Sequence, residues 1–308
     1  MEAQEGDDEI FVYMGGDQHV PERVRRARIH RSVKIVPRGA FSHRTNLISV
    51  EFHDEIEMIE LDAFNWCTSL RSLKLMGIKV IGIGAFFYCQ SMTDVEFGDK
   101  LETIDHFAFS GCTALRNITI PRNVRNIGEE SFCNCTQLTD LELPEGLETL
   151  VGGAFNNCSN LARITMPLKD DMIGDDVFYD CRNLASVDLN GGICNTVASL
   201  HLGRWRNELK GEINEINQTL PNTDRWEKTE VVQMWMNTVI IRLNHYKAEH
   251  QKILKETATL LELAVWKAKI DQNEETLKPD TRSERRTQRI TSGASIIIKN
   301  VLPFLELK

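Results

Sequence analysis

The sequence predicts an α+β chain of 308 residues: a β-rich solenoid of about seven repeats, followed by a long-helix C-terminal region. Three observations predict it. A marker pair recurs every 22 or 23 residues, at Ala40-Phe41, Ala63-Phe64, Ala85-Phe86, Ala108-Phe109, Ser131-Phe132, Ala154-Phe155 and Val177-Phe178. A short strand follows each marker in phase, from Val50-Glu51-Phe52 to Val187-Asp188-Leu189. Beyond Gly191-Gly192 the composition turns to helix formers, and residues 224–277 contain neither glycine nor proline. A fixed period of this length marks stacked repeats, none of which can bury its own apolar side.

Taken in order, residues 1–9 are acidic and predicted to be disordered. Residues 10–39 read as an N-terminal cap: Ile10-Phe11-Val12-Tyr13, a Gly15-Gly16 turn, then Val24 to Val36. Residues 40–195 form the solenoid. A second apolar pair precedes each marker, as in Ile56/Ile59, Leu101/Ile104 and Leu147/Leu150, so each coil has two extended edges. Pro121, Pro144 and Pro167 recur after the strand, where proline ends pairing without removing a ladder donor.

Residues 196–277 are predicted helical. Leu200 to Ile216 is one amphipathic segment, and Pro221-Asn222-Thr223-Asp224 offers a turn and an N-cap for the next. There Val239, Leu243, Tyr246, His250, Ile253, Thr257, Leu260 and Ala264 alternate spacings of four and three, a heptad seam that predicts coiled-coil association. Residues 278–308 hold a charged linker (278–289) and the apolar segment 296–305.

Six cysteines, Cys67, Cys89, Cys112, Cys135, Cys158 and Cys181, sit three residues after a marker Phe and predict a ladder of small interior side chains. A ladder does not converge four thiols on one zinc ion, and Cys133 beside Cys135 is expected to face elsewhere. The net charge of −9 argues against general nucleic-acid affinity. The N-terminus lacks the basic-then-apolar order of a secretory signal, and no stretch reaches the apolar length of a membrane span. These features predict a cytoplasmic protein.

The unit I-x-x-I-G-x-x-A-F-x-x-C-x-x-L-x-x-I-x-I-P, carried with small departures by Val124 to Pro144, resembles the BspA-like class of leucine-rich repeats. The flanks, through Arg28-Ile29-His30-Arg31-Ser32-Val33, Leu260 to Lys267 and Asn300 to Leu305, resemble a large group of intracellular diatom proteins. The first resemblance implies the solenoid and, from its bacterial and parasite members, surface proteins that bind host proteins. Without a signal or anchor that adhesin role is not expected here. The second implies no biochemistry.

Catalytic patterns are not found: Gly82-Ile83-Gly84 belongs to the repeat, no H-E-x-x-H occurs, and no G-x-S-x-G elbow exists. The sequence predicts no enzyme and no cofactor. What remains is surface. Side chains alternate along a strand, so Glu51, Lys74, Asp94, Glu96, Asp140, Glu142, Arg163 and Asp188 point outward and predict an acidic strand face. It suits a basic protein or peptide, and it equally suits a plain solvated face. Arg23, Arg25, Arg26, Arg28 and Arg31 form a basic patch near the N-terminal end, either solvated cap residues or a site for phosphate or an acidic peptide. The expected function is a non-catalytic interaction scaffold. Its alternatives are a homo-oligomeric scaffold joined through the seam, or a redox or metal protein using the cysteines.

Overall fold

A computed structural model describes residues 10–190 and 203–275. The expectations for residues 1–9, the Gly191-Gly192 break, the charged linker and the apolar segment 296–305 lie outside the described residues. Two compact units divide the chain: the repeat array together with residues 211–238, and the remaining helical residues on either side of that stretch.

In chain order the array's strands are β1 (Ile10–Tyr13), β2 (Arg26–Ile29), β3 (Ile35–Val36), β4 (Ser49–Glu51), β5 (Met58–Ile59), β6 (Ser72–Leu75), β7 (Val80–Ile81) and β8 (Asp94–Phe97). They continue as β9 (Thr103–Ile104), β10 (Asn117–Thr119), β11 (Asn126–Ile127), β12 (Asp140–Glu142), β13 (Thr149–Leu150), β14 (Arg163–Met166) and β15 (Ser186–Leu189). All pair in parallel. Nine make one sheet, ordered β1-β2-β4-β6-β8-β10-β12-β14-β15, and six make a second, ordered β13-β11-β9-β7-β5-β3. These are the two extended edges that the apolar pairs predict. The segment read as a cap carries β1, β2 and β3 and continues both sheets. Gln18 covers part of the outer edge of β1, accepting from the Met14 amide and donating to the Val12 carbonyl.

The coils stack residue on residue: Asn117 lies opposite Asp140, which lies opposite Arg163, which lies opposite Ser186. The interior is therefore a set of columns. The marker rings Phe41, Phe64, Phe86, Phe109, Phe132 and Phe155 are fully buried and stack at 4.8–5.3 Å, with Phe178 at 6.5 Å. The thiol column has a polar task that periodicity alone does not reveal. Each ladder thiol donates to the carbonyl of the marker Phe one coil earlier, from Cys67 to Phe41 at 3.1 Å through to Cys181 to Phe155 at 3.1 Å. A methyl in that place would leave the buried carbonyl without this donor.

Turns supply a third ladder. Each coil holds two residues with left-handed backbone four positions apart, such as Asp62 and Trp66, Phe107 and Gly111, or Glu130 and Asn134. This conformation sends the amide N–H along the stack: Asp62 donates to the Ile83 carbonyl, Trp66 to Phe87, Phe107 to Glu129. Only glycine takes it without cost; other residues lose roughly 1–2 kcal/mol, which the ladder of hydrogen bonds offsets.

The helices are α1 (Gly203–Thr219) and α2 (Lys228–Glu275), with a 3-10 turn at Leu220–Asn222 between them. Helix α2 begins four residues after Asp224, whose carbonyl instead accepts the Glu227 amide in a preceding turn. That delay brings Lys228 and Thr229 to the last coil. Lys228, 1% exposed, donates through Nζ to the carbonyls of Arg182 and Leu184, and the Phe178 amide donates to Thr229 Oγ1. Gln233 donates to Ile173 and Gly174, and Asn217 Oδ1 accepts the Val187 amide. The polar backbone edge of the last coil thus finds partners in residues 217–233, as a solenoid end requires.

Candidate interaction surfaces

The outward strand residues Glu51, Lys74, Asp94, Glu96, Asp140, Glu142, Arg163 and Asp188 are all exposed on the nine-strand sheet, as alternation predicts. They do not form an unbroken acidic stripe. Arg28 pairs with Glu51 at 2.5 Å, Lys74 with Glu96 at 2.8 Å and Arg163 with Asp140 at 2.7 Å, each pair bridging neighbouring strands. A column one position earlier adds Arg25, Arg71 and Arg116, linked in the stack by backbone bonds through Ile48 and Thr93. With that column included, the sign of each row alternates. Rows β2 (Arg26, Arg28, preceded by Arg25), β6 (Lys74, preceded by Arg71) and β14 (Arg163) are basic, and the uncharged β10 is preceded by Arg116. Rows β4 (Glu51), β8 (Asp94, Glu96), β12 (Asp140, Glu142) and β15 (Asp188) are acidic. In-register stacking repeats every position about 4.8 Å away, where a like charge repels and an opposite one attracts. Among the described residues Asp94 and Glu142 have no ion-pair partner.

The basic patch belongs to this pattern. Arg25, Arg26 and Arg28 form its first row, while Arg23 and Arg31 are exposed to either side. Lys34, in the turn that follows, forms an ion pair with Glu55 and holds that carboxyl below its ordinary range.

Of the heptad seam, Val239, Leu243 and Tyr246 are buried within the folded chain, and the Tyr246 hydroxyl donates to the Glu208 carboxylate. His250 and Ile253 are half-buried, and Leu260 is exposed. Leu261, Leu263, Val265 and Trp266 extend an exposed apolar stretch on α2.

Seven of the eight cysteines are described, and all are free and buried. Burial pushes Cys67, Cys112 and Cys181 up to about 12 and Cys133 up to about 11, and carries Cys89, Cys135 and Cys158 well above the thiol range. Nucleophilic attack and metal ligation both need the thiolate, which these environments disfavour. A cleft of about 230 Å³ lies between residues 169–173 and α2, with Lys169, Asp171, Gln233 and Asn237 as its polar lining. Lys169 is engaged by the Leu147 carbonyl and Gln233 by Ile173 and Gly174. Among the described residues no group of three or more His, Cys, Asp or Glu side chains could hold a metal, and no helix is long and apolar enough to cross a membrane.

One surface is not anticipated by the repeat pattern. On the turn edge the left-handed residues His43, Trp66 and Tyr88 stack at 6.2 and 4.7 Å with nearly parallel rings, and Phe87 sets its edge on Tyr88 at 4.6 Å. Gly111 closes the stack, its Cα against the Tyr88 ring. The sequence signal was present as aromatic residues two positions after Phe64 and Phe86, but their exposure depends on the turn geometry.

The strands and helices define a parallel β-solenoid of about seven turns with a helical C-terminal region. The model of the BspA type leucine rich repeat region matches in six copies, over residues 23–105 and 79–199, and the chain belongs to that family. It is similar to the solved T. pallidum leucine rich repeat protein (31% identity, 46% of this chain and 67% of that one, TM-score 0.40). It is also similar to a leucine rich cell surface protein from Faecalibacterium prausnitzii (25% identity, 53% of this chain, 54% of that one, TM-score 0.40). A leucine-rich repeat protein from Bacteroides ovatus matches at 24% identity, over 55% of this chain and 56% of that one, with a TM-score of 0.39. The chain thus spans about half to two thirds of these proteins' length. No curated protein matches it.

Proposed function

We propose that this chain is a non-catalytic protein-interaction scaffold whose nine-strand face receives a partner protein or peptide. Asp94 and Glu142 carry the reading: they are exposed carboxylates without an ion-pair partner among the described residues, on a face whose other acids at β4, β8 and β12 are matched along the stack. A partner segment placing basic groups at those two positions, and tolerating the alternating rows between, fits this surface. The buried, protonated thiols support a non-catalytic role, and free thiols suit a reducing, intracellular compartment. Affinity capture from native lysate with the whole chain, against the Asp94→Asn/Glu142→Gln variant, tests the reading. The variant is expected to lose proteins that the parent retains, and an identical retained set overturns it.

A second reading rests on the exposed apolar stretch of α2. Leu260, Leu261, Leu263, Val265 and Trp266 would join two copies side by side, with the buried half of the seam holding each helix in place. Sedimentation at rising concentration would show a dimer that Leu260→Glu/Leu263→Glu abolishes. A mass that stays monomeric removes this reading.

A further inference from the structure

We propose that the turn edge between Trp66 and Glu130 is a second docking surface, built for a protein segment that alternates long basic side chains with apolar ones. Trp66 and Ile83 are 38% and 39% exposed, and Phe87, Tyr88 and Phe107 are half-buried beside them. The backbone ladder fixes their map. Asp62 donates to Ile83, Gly84 to His106 and Phe107 to Glu129, so these columns climb the stack side by side. Gly84 is buried between Asp62 and Phe107, which occupy the same position one coil below and above it, and the Asp62 carboxylate lies over its Cα. Gly111 lets the Tyr88 ring lie directly against its backbone.

Backbone conformation supplies an independent argument. Trp66 and Tyr88 have φ near 59° and 57°, and Phe107 has 57°. The equivalent positions elsewhere hold His43, Gly111, Asn134, Asn157 and Asp180 for the first pair, and Gly39, Asp62, Gly84, Glu130, Gly153 and Asp176 for Phe107; most of these are glycine, asparagine or aspartate, which take this conformation more readily. Three bulky aromatic residues placed side by side, where most other coils use glycine, asparagine or aspartate, point to a use for the rings themselves.

The rim selects the occupant. Asp62, Asp105, Glu129 and Glu130 surround the apolar centre, and among the described residues no lysine or arginine forms an ion pair with any of them. Asp62 is met by the Asn65 amide at 3.2 Å, and Asp105 and Glu129 flank His106 at 3.6 and 3.9 Å. The carboxylates left bare by the strand face's charge matching are few; here they are grouped. Aromatic faces are already covered by the stack, so a cation over a ring is not the contact on offer. A lysine or arginine instead lays its methylenes across Trp66, Ile83 and Phe107 and carries its charge to the rim. Leucine-like side chains of the same segment pack on Trp66 and Ile83, which are the exposed apolar groups of this edge.

The probe is a fluorescein-labelled peptide of roughly twelve residues alternating arginine and leucine, titrated with the full chain by anisotropy. Two controls replace its arginines by glutamate or its leucines by glycine. Saturable binding is expected to the arginine–leucine peptide, weaker by about tenfold for each control. Two variants, Trp66→Asn/Tyr88→Asn/Phe107→Gly and Asp105→Asn/Glu129→Gln/Glu130→Gln, are expected to bind about tenfold more weakly as well, while Asp94→Asn/Glu142→Gln stays within about twofold of the parent. Parent-like binding by the aromatic variant, or equal binding of either control peptide, overturns the proposal. So does loss of binding in the strand-face variant alone, which would move the site there. If the triple variant melts early, Phe107→Gly by itself is read, since glycine fills the same position at Gly84 and Gly153 in other coils. Sedimentation of the parent and aromatic variant separates the remaining occupant: a dimer abolished by the substitutions would mean a second copy sits on this edge, which also overturns it.

Discussion

The strand face and the turn edge share one period and meet the same constraint, that whatever occupies a position is stacked on its own kind a coil away. The strand face meets it by alternating charge from row to row and pairing across neighbours, as in Lys74–Glu96 and Arg163–Asp140. The turn edge meets it by stacking rings, His43 on Trp66 on Tyr88, and by accepting strained backbone to do so. In-register stacking therefore amplifies any choice. Charges of one sign are punished in proportion to the number of coils, whereas rings and thiols are rewarded, because each gains a neighbour above and below. The interior columns belong with the turn edge in this respect.

The largest expected effect tests the thiol column as a whole. Burial raises these thiols in the folded chain to about 12, as at Cys67, Cys112 and Cys181, while the unfolded chain titrates near its ordinary 9.0. Above that value the unfolded state binds fewer protons than the folded one, so stability is fully present below it and falls as pH rises toward the folded value. Each thiol removes about 1.4 kcal/mol per pH unit in that window, and several act together. Lys228, whose ammonium burial lowers, works in the opposite direction but is a single group. Denaturant melts from pH 7 to 11 are expected to show a steep loss above about pH 9, made shallower by one proton in Cys112→Ala. A flat profile would mean the thiols ionise in place.

Next comes the ring column. Phe132 is fully buried with neighbours at 5.3 Å on both sides, so Phe132→Ala is expected to cost about 3–5 kcal/mol. On the strand face of the preceding coil the exposed Thr119→Ala is expected to stay within about 0.5 kcal/mol. Urea midpoints compare the two directly, and similar shifts would contradict a core organised as columns.

A turn-edge substitution should change stability in the opposite sense. Phe107→Gly removes a half-buried ring and relieves left-handed strain at a position that Gly84 and Gly153 fill in other coils. A net stabilisation of up to about 1 kcal/mol is expected by thermal melting, since the backbone gain slightly exceeds the half-buried ring's packing. A clear loss would show that Phe107 packs more tightly than its exposure suggests.

These contrasts also explain what could be read from the residues alone. The marker Phe, the two apolar edges and the thiol position recur at fixed spacing, and burial follows directly from recurrence. The thiols' carbonyl partners did not show, because the acceptor is backbone 25 or 26 residues away and leaves no trace in composition. The alternating strand face was half visible. Residues flanking the first inward position gave six acids and two bases, and the column holding Arg71 and Arg116 changed that balance only once strand register was known. The start of α2 at Lys228 rather than at the turn before it was set by tertiary need, namely the bare carbonyls of Arg182 and Leu184. Trp66 and Tyr88 carry no repeat-wide spacing signal, and it is the left-handed turn that stacks them on one edge.

The smallest expected effect is the one that isolates the alternation rule. Lys74 and Glu96 are exposed side chains in adjacent rows, so their attraction is weak and screened. Lys74→Glu turns row β6 from basic to mixed and sets a carboxylate directly against Glu96, its register partner. A small fall in melting temperature is expected at low salt and should vanish at roughly 0.5 M salt. Glu96→Lys alone should do the same by facing Lys74 with a second ammonium. The double exchange restores an opposite pair in the same place, so it should recover most of the parent's melting temperature. That recovery separates row alternation from any private role of either residue, because helix propensity, strand propensity and partner binding do not predict that two harmful swaps cancel. If the double variant instead carries the sum of both losses, the alternating rows are coincidental. The strand face would then differ from the turn edge only in polarity, not in how it manages the stack.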